Sequence, residues 1–138
     1  TRDLDHDRAE RLATALTNAA PHFKIALCSS AEEASQGADG VVNCTPVGMV
    51  GYPGTPVDAQ ALAGRRWAFD AVYTPIETRF LSDATEQGLR CLSGFELFFH
   101  QGVHAFQIFT GREVPRAPLR KALADLQSGQ AGKSPTHV

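Results

Sequence analysis

Short apolar runs alternate with amphipathic stretches along most of this chain. Four runs have the length and apolar character of buried strands: Phe23–Cys28, Gly40–Cys44, Arg66–Val72 and Arg90–Leu92. Apolar residues at helical spacing predict helices over residues 5–20, 58–62, 77–87, 94–110 and 118–126, with a short helix after Ser30. Strands that alternate with helices predict an α/β fold with a parallel sheet.

Local signals mark some of the boundaries of these elements. Ser30, followed three residues later by Glu33, fits a capping box at a helix start. Gly88 is placed to end the helix over 77–87. The stretch 45–56 is rich in glycine and proline, which favours a loop.

The composition indicates one globular domain and excludes several functions. The chain has 138 residues, 43% of them hydrophobic, and a net charge of −2, so no basic surface suggests nucleic-acid binding. No apolar run reaches the roughly 18 residues that span a bilayer, and no signal peptide is visible at the start. We therefore predict a cytoplasmic protein without a nucleic-acid or membrane partner.

The domain organisation is expected to be simple. Residues 1–127 carry the predicted elements, whereas residues 128–138 are rich in Gly, Ser, Pro and Gln, which predicts a disordered tail. Three cysteines, Cys28, Cys44 and Cys91, cannot all pair and show no metal spacing. We expect them to be reduced and buried.

Polar and small residues follow two of the predicted strands. Gly40–Cys44 runs into a Thr-Pro turn and Gly48, and Arg66–Val72 runs into Tyr73-Thr74-Pro75. The carboxyl ends of parallel strands form the ligand crevices of open α/β sheets. We therefore expect a ligand site at this edge, completed by the segment from Ser93 to Gln101.

The acidic residues at the start permit two interpretations. An acid at the end of a Rossmann strand accepts hydrogen bonds from the ribose hydroxyls of NAD, which suits Asp3. Asp3 and Asp5 could equally cap the first helix. No strand, glycine-rich turn or helix precedes Asp3 in the sequence, so we expect a Rossmann-like sheet that lacks its first strand, that turn and its first helix.

Three segments together resemble the cofactor-binding half of the shikimate/quinate dehydrogenase family. Asn43–Met49 is similar to the family's Asn-Ala-Thr-Pro-x-Gly-Met, with Cys44 in place of alanine. Asp70–Thr78 is similar to Asp-x-Val-Tyr-x-Pro-x-x-Thr, and Ser93–Gln101 to Asp-Gly-x-x-Met followed by Gln. The resemblance covers about residues 1–126 and implies a C-terminal, NAD(P)-binding domain.

The resemblance implies a set of residues around the nicotinamide. Thr45 and Pro46 would border its ribose, and Ala71 would touch the ring through its carbonyl. Gly94 would approach the ring where a side chain would block it. Leu97, which replaces the family's methionine, would keep an apolar wall.

The resemblance also implies two substrate-binding residues. Tyr73 would point its hydroxyl toward a cyclohexene acid, although the residues alone favour a partly buried strand tyrosine. Gln101 offers both donors and acceptors to a polyhydroxy substrate. His100 and His104 stand four apart, but no carboxylate accompanies them in a zinc motif, so we predict no metal site.

The start of the chain is similar to the NAD-using branch of the family. NADP-using members have Asn-Arg-Thr where this chain has Asp3, Leu4 and Asp5. A carboxylate repels a 2′-phosphate and leucine cannot bind one, so the resemblance implies NAD, with NADP less favoured. Arg8 would lie beside the adenine or ribose, or would be a solvated helix residue.

The resemblance leaves this chain without a catalytic residue. Family members are about twice as long, and their N-terminal domain supplies a catalytic Lys and Asp. None of the three lysines here lies in a matching motif. We expect a fragment of a shikimate or quinate dehydrogenase that is inactive alone and forms a homo-oligomer through its exposed surfaces. The alternative is a non-catalytic module that binds a ligand or a partner.

Overall fold

The fold is a small open α/β sheet with helices packed against it. The computed structural model describes the backbone of residues 6–130 and the side chains of residues 7–126. Three strands, β1 (Gly40–Asn43), β2 (Trp67–Asp70) and β3 (Arg90–Leu92), form a parallel sheet in the order β1-β2-β3. The predicted parallel sheet is confirmed.

Six helices surround or follow these strands in the described part of the chain. Their bounds are α1 (His6–Ala19), α2 (Ala31–Ser35), α3 (Ala59–Leu62), α4 (Arg79–Glu86), α5 (Gly94–Thr110) and α6 (Arg116–Gln130). Each was predicted within a few residues. Thr78 caps α4 by accepting a hydrogen bond from the Leu81 amide, and Gly88 follows that helix with φ +78°.

One predicted strand is wrong. Residues 24–28 have no assigned secondary structure and pair with none of the three strands. A strand belongs to a sheet through its ladder with a neighbouring strand, and an apolar run in the sequence does not show which strand that would be. Phe23, at the start of this run, is more than half exposed.

The core lies on one face of the sheet. Ala68 of β2 packs there with side chains from α3 and α4 and from the loops beside them: Val57, Leu62, Phe80, Leu81, Ala84 and Leu89. Because side chains alternate along a strand, Trp67 and Phe69 point to the opposite face. The α3 and α4 helices therefore cover a single side of β2.

The opposite face of the sheet is open. A cavity of about 780 Å³ lies over it, and its apolar lining includes Val42, Trp67, Phe69, Leu92 and Leu97. The indole of Trp67 lies over Gly40, where a Cβ would come within 2.1 Å of the ring. Val42 and Leu92 are about half exposed, so this face holds uncovered apolar surface.

Two expectations from the sequence are corrected by these elements. Helix α6 continues to Gln130, three residues into the stretch for which a disordered tail was predicted, and residues 131–138 lie outside the described part. Cys44 and Cys91 are exposed and Cys28 is half-buried, not buried as expected; none of the three forms a disulfide. No described helix is both long and apolar enough to cross a bilayer.

Ser30 caps the start of α2, and Glu33 reaches back toward the residues before the helix. Ser30 accepts a hydrogen bond from the Glu33 amide, as predicted, and the Glu33 carboxylate accepts hydrogen bonds from the amide and the hydroxyl of Ser29. The Ser29 hydroxyl at 2.7 Å and the Ser29 amide at 2.8 Å both lower the pKa of Glu33.

This arrangement predicts a pH effect at Glu33. The folded-state pKa is lowered, so the bonds stabilise the fold above the unfolded-state pKa and are lost as pH falls through the folded-state value. Ser29→Ala removes one donor and should raise the pKa of Glu33 toward its ordinary value. An NMR titration of the Glu33 carboxyl carbon in both proteins measures this, and equal pKa values would contradict it.

Candidate functional site

The carboxyl ends of β1 and β2 meet at one edge of the sheet. Asn43 and Asp70 are the last residues of these strands and are partners in the parallel register. We call this region the carboxyl edge: it comprises Asn43 and Asp70 together with the loops 44–52 and 71–78 that follow them. Four of the predicted site residues lie in these two loops: Thr45, Pro46, Ala71 and Tyr73.

Asn43 organises the loop that follows β1. Its side chain is buried and accepts hydrogen bonds from both the amide and the hydroxyl of Thr45, at 3.0 and 2.7 Å. Its Nδ2 donates to the carbonyl of Val47 at 3.0 Å and to Asp70 at 2.9 Å. A single buried amide therefore shapes the Thr-Pro turn and ties it to the neighbouring strand.

Asp70 performs the same task for the loop that follows β2. Its carboxylate is fully buried. Its Oδ1 accepts hydrogen bonds from Asn43 Nδ2 and from the Val72 amide, and its Oδ2 accepts one from the Thr78 hydroxyl at 2.6 Å. Asp70 thus connects β1, the 71–78 loop and the start of α4.

The two loops also contact each other through their backbones. The Val50 amide donates to the Thr74 carbonyl at 3.2 Å, which joins the two loops. Within the 44–52 loop, the Gly48 amide donates to the Tyr52 carbonyl at 2.8 Å. Gly48 has φ +98°, a conformation that favours glycine. The peptide bond between Thr74 and Pro75 is cis.

Helix α5 begins in direct contact with the carboxyl edge. Gly94 is buried, and a Cβ at this position would lie 2.4 Å from the carbonyl oxygens of both Ala71 and Val72. The sequence predicted a glycine here to leave room for a nicotinamide. The described contacts show a requirement within the protein itself, because only glycine lets α5 approach the 71–72 backbone so closely.

The substrate-site candidates lie on one face of α5 and on the adjoining loop. Gly94 and Gln101 are seven residues apart, about two helical turns, and therefore share a face of α5. Phe98 lies on that face between them, and its ring stacks on Tyr73 with centroids 4.9 Å apart and an angle of 9° between the planes. Tyr73 and Gln101 are both exposed, so their polar groups are available to a ligand.

The remaining predicted site residues are more scattered. Leu97 lies beside the open cavity over the sheet, 42% exposed. Pro46 is exposed on the carboxyl edge, and Arg8 is exposed on α1. Asp3 lies outside the described residues.

A charged cluster joins α5 to α6. Glu96 forms ion pairs with Arg120 and with His100, the second at 3.8 Å between Oε2 and Nε2, where His100 is charged only if protonated. The Arg120 guanidinium also lies 4.3 Å from the centre of the Phe99 ring. Within the described residues, no group of three or more His, Cys, Asp or Glu side chains is arranged to hold a metal ion.

Sequence reasoning missed the residues that build this site. Asn43, Asp70 and Thr78 were visible as parts of the motifs, but no role was assigned to them. Their contact partners are up to 27 residues away, which one sequence does not reveal. A buried strand that ends in Asn or Asp was the available signal, since such a side chain must find hydrogen-bond partners.

Known proteins that are similar to this chain include shikimate and quinate dehydrogenases. The family model of the shikimate 5′-dehydrogenase C-terminal domain matches residues 94–124. A quinate/shikimate dehydrogenase (NAD(+)) of Corynebacterium efficiens is 45% identical over 126 residues, which are 90% of this chain and 44% of that protein. The chain therefore spans less than half the length of this curated relative.

Solved structures of related dehydrogenases have the same fold as this chain. Quinate dehydrogenase from Corynebacterium glutamicum in complex with NAD matches with a TM-score of 0.78 and 38% identity, over 89% of this chain and 44% of that one. Shikimate 5-dehydrogenase from Listeria monocytogenes, in complex with shikimate and NAD, matches with a TM-score of 0.70 and 28% identity, over 88% and 44%. The fold is therefore Rossmann-like, and the chain is similar to members of the shikimate/quinate dehydrogenase family, which it matches in their C-terminal half.

Proposed function

We propose that this chain is the cofactor-binding part of an NAD-dependent shikimate or quinate dehydrogenase. The whole enzyme would interconvert 3-dehydroshikimate and shikimate, or 3-dehydroquinate and quinate, by reversible hydride transfer. The observation that supports this most is the meeting of Gly94 with the Ala71 carbonyl at the carboxyl edge, beside the exposed Tyr73. Both solved structures named above contain NAD, and the one from Listeria monocytogenes also contains shikimate.

The residues at the carboxyl edge fit a nicotinamide. Ala71 is small and half-buried, and it lies in direct contact with the buried Gly94, so no large side chain stands at the place where a flat ring would lie. Thr45 is held by its two bonds to Asn43, and Pro46 is exposed next to it, which suits the ribose. When bound, the nicotinamide supplies hydride transfer to and from a ring carbon of the substrate.

The polar groups near this edge fit a polyhydroxy acid. The Tyr73 hydroxyl can donate and accept, and the Gln101 amide offers two donors and an acceptor. Both side chains are exposed, on the loop after β2 and on α5. In this proposal they bind and orient the substrate and move no proton. The proton of the substrate hydroxyl would be handled by a lysine of the N-terminal domain, as the family resemblance implies.

A chimeric enzyme tests the proposal directly. In it, this chain replaces the matching C-terminal 44% of the Corynebacterium efficiens relative. We expect the purified chimera to reduce NAD in the presence of quinate or shikimate, because the relative's N-terminal part would supply the catalytic residues. The 138-residue chain alone, assayed identically, should give no turnover.

Three outcomes would count against this. Turnover by the 138-residue chain alone would refute the expectation that the catalytic residues come from the N-terminal half. A folded chimera that binds NAD without turnover would favour a binding module. A folded chimera that does not bind NAD would refute the proposal.

The cofactor preference makes a separate prediction in the same chimera. Replacing Asp3 by Asn and Leu4 by Arg removes a repelling carboxylate and adds a partner for a 2′-phosphate. The ratio of kcat/KM for NADP to that for NAD should rise about ten- to hundred-fold, as expected for one or two charge-assisted hydrogen bonds. Arg116→Ala, on α6, serves as the control and should leave the ratio unchanged. An unchanged ratio in the Asp3/Leu4 variant would contradict the role of Asp3.

Three further expectations stay predictions. They are contact between Arg8 and the adenosine, assembly as a homo-oligomer, and a location in the cytoplasm.

A further inference from the structure

The stacked pair of Tyr73 and Phe98 has no role in the site as described so far. The two rings are nearly parallel, 9° apart, at a centroid distance of 4.9 Å. Tyr73 is 45% exposed and Phe98 36%. A stack between two partly exposed rings buries little area and so adds little stability. Its main effect is on the orientation of the tyrosine ring.

The position of Phe98 is set by the start of α5. Gly94 packs on the 71–72 backbone, and Phe98 follows Gly94 by one helical turn. Phe95 and Phe99 of the same helix are buried, which fixes the rotation of α5 about its axis. The backbone of Phe98 is therefore fixed by its neighbours on the helix, so its ring always starts from the same place beside Tyr73.

Tyr73, in contrast, has freedom that the stack removes. The amide of the preceding residue, Val72, donates a hydrogen bond to Asp70. The backbone of Tyr73 is therefore fixed on its N-terminal side. An exposed tyrosine side chain can still adopt several rotamers. Offset contact with the Phe98 face selects one of them, and with it one position of the phenolic oxygen on the rim that also carries Gln101.

We propose that Phe98 is a positioning residue that holds the Tyr73 hydroxyl in place for the substrate. This inference rests on the proposed function, in which Tyr73 contacts a cyclohexene or cyclohexane acid. In this proposal Phe98 provides a flat apolar surface and acts on the substrate through Tyr73.

The stack is tested first in the 138-residue chain, with 3-fluorotyrosine at Tyr52 and Tyr73, the chain's two tyrosines. Phe98→Leu should shift the ¹⁹F signal of Tyr73 and leave that of Tyr52 in place. Phe109→Leu, at an 85% exposed position of the same helix, is the matched control and should shift neither signal. An unchanged Tyr73 signal in Phe98→Leu would overturn the inference.

The functional consequence is tested in the chimeric enzyme. Phe98→Leu should raise KM for quinate or shikimate about two- to ten-fold, the effect of losing one aromatic pair, while KM for NAD stays unchanged. Phe98→Tyr keeps the ring and should restore the parent KM. In a Tyr73→Phe background, which lacks the hydroxyl, Phe98→Leu should have no further effect.

The outcomes separate this inference from the proposed function. If Tyr73→Phe raises KM but Phe98→Leu does not, the inference fails and the proposed role of Tyr73 stands. If the two substitutions raise KM independently, Phe98 acts by another route and the inference also fails. If Tyr73→Phe leaves KM unchanged, the proposed role of Tyr73 fails and the inference fails with it.

Discussion

Replacing Gly94 by alanine should destabilise the domain by about 3 kcal/mol, the upper part of the usual range for overpacking. The added Cβ would lie 2.4 Å from two carbonyl oxygens, those of Ala71 and Val72. Backbone atoms cannot rotate away as a flexible side chain would, so α5 or the 71–78 loop must shift. Urea unfolding measures the loss as a lower midpoint at an unchanged slope.

Gly102 provides a matched control on the same helix. A Cβ at Gly102 would meet nothing within 4 Å. Gly102→Ala should therefore stabilise the protein by about 0.5–1 kcal/mol, because alanine loses less conformational entropy in a helix. If both alanine variants had the stability of the parent protein, the close approach of α5 to the carboxyl edge would be wrong.

Removal of the Asp70 carboxylate should have an effect of similar size. Asp70→Ala leaves the Val72 amide and the Thr78 hydroxyl without their acceptor in a fully buried place. Asn43 keeps its bond to the Val47 carbonyl but loses the one to Asp70. Each unsatisfied buried group costs about 1–3 kcal/mol, so we expect a loss of roughly 3–5 kcal/mol in the free energy of unfolding.

Two further variants test whether the effect comes from the buried carboxylate itself. One keeps the size of the side chain, and the other removes an exposed aspartate elsewhere. Asp70→Asn keeps one acceptor and the shape, so about 1–2 kcal/mol should be lost. Asp39→Ala removes an exposed ion pair with Arg66, at 3.5 Å, and should change stability by less than about 0.5 kcal/mol. Equal losses in the Asp39 and Asp70 alanine variants would contradict the network described here.

Most elements of the fold were predictable because their signals are local. Apolar runs located β1, β2 and β3, and Ser30, Thr78 and Gly88 lie at helix boundaries by local hydrogen bonding or a positive φ. The run at 24–28 failed because strand formation depends on a partner strand, and no described strand pairs with it.

The motifs named residues near the carboxyl edge, but they did not show how that edge is held together. The motifs placed Thr45, Ala71, Tyr73 and Gln101 near one edge through a family resemblance. They did not show that a hydrogen bond between Asn43 and Asp70 holds that edge together. These two residues are 27 positions apart, and motif spacing does not reveal a contact at that distance.

Gly94 and Phe98 of α5 also depend on contacts between elements that the sequence did not reveal. Gly94 was predicted as a space for a ligand, whereas the structure shows a backbone contact that also requires glycine. Phe98 was assigned no role, because its partner Tyr73 lies on a different element. Contacts between elements thus carry the information that motif spacing lacks.

A crystal structure of the chimeric enzyme with NAD and quinate is the most direct measurement of the central claim. The account predicts the nicotinamide ring against the backbone of Ala71 and Gly94, with the Tyr73 hydroxyl and the Gln101 amide within hydrogen-bond distance of quinate. A nicotinamide bound away from the carboxyl edge, or quinate out of reach of both side chains, would contradict it.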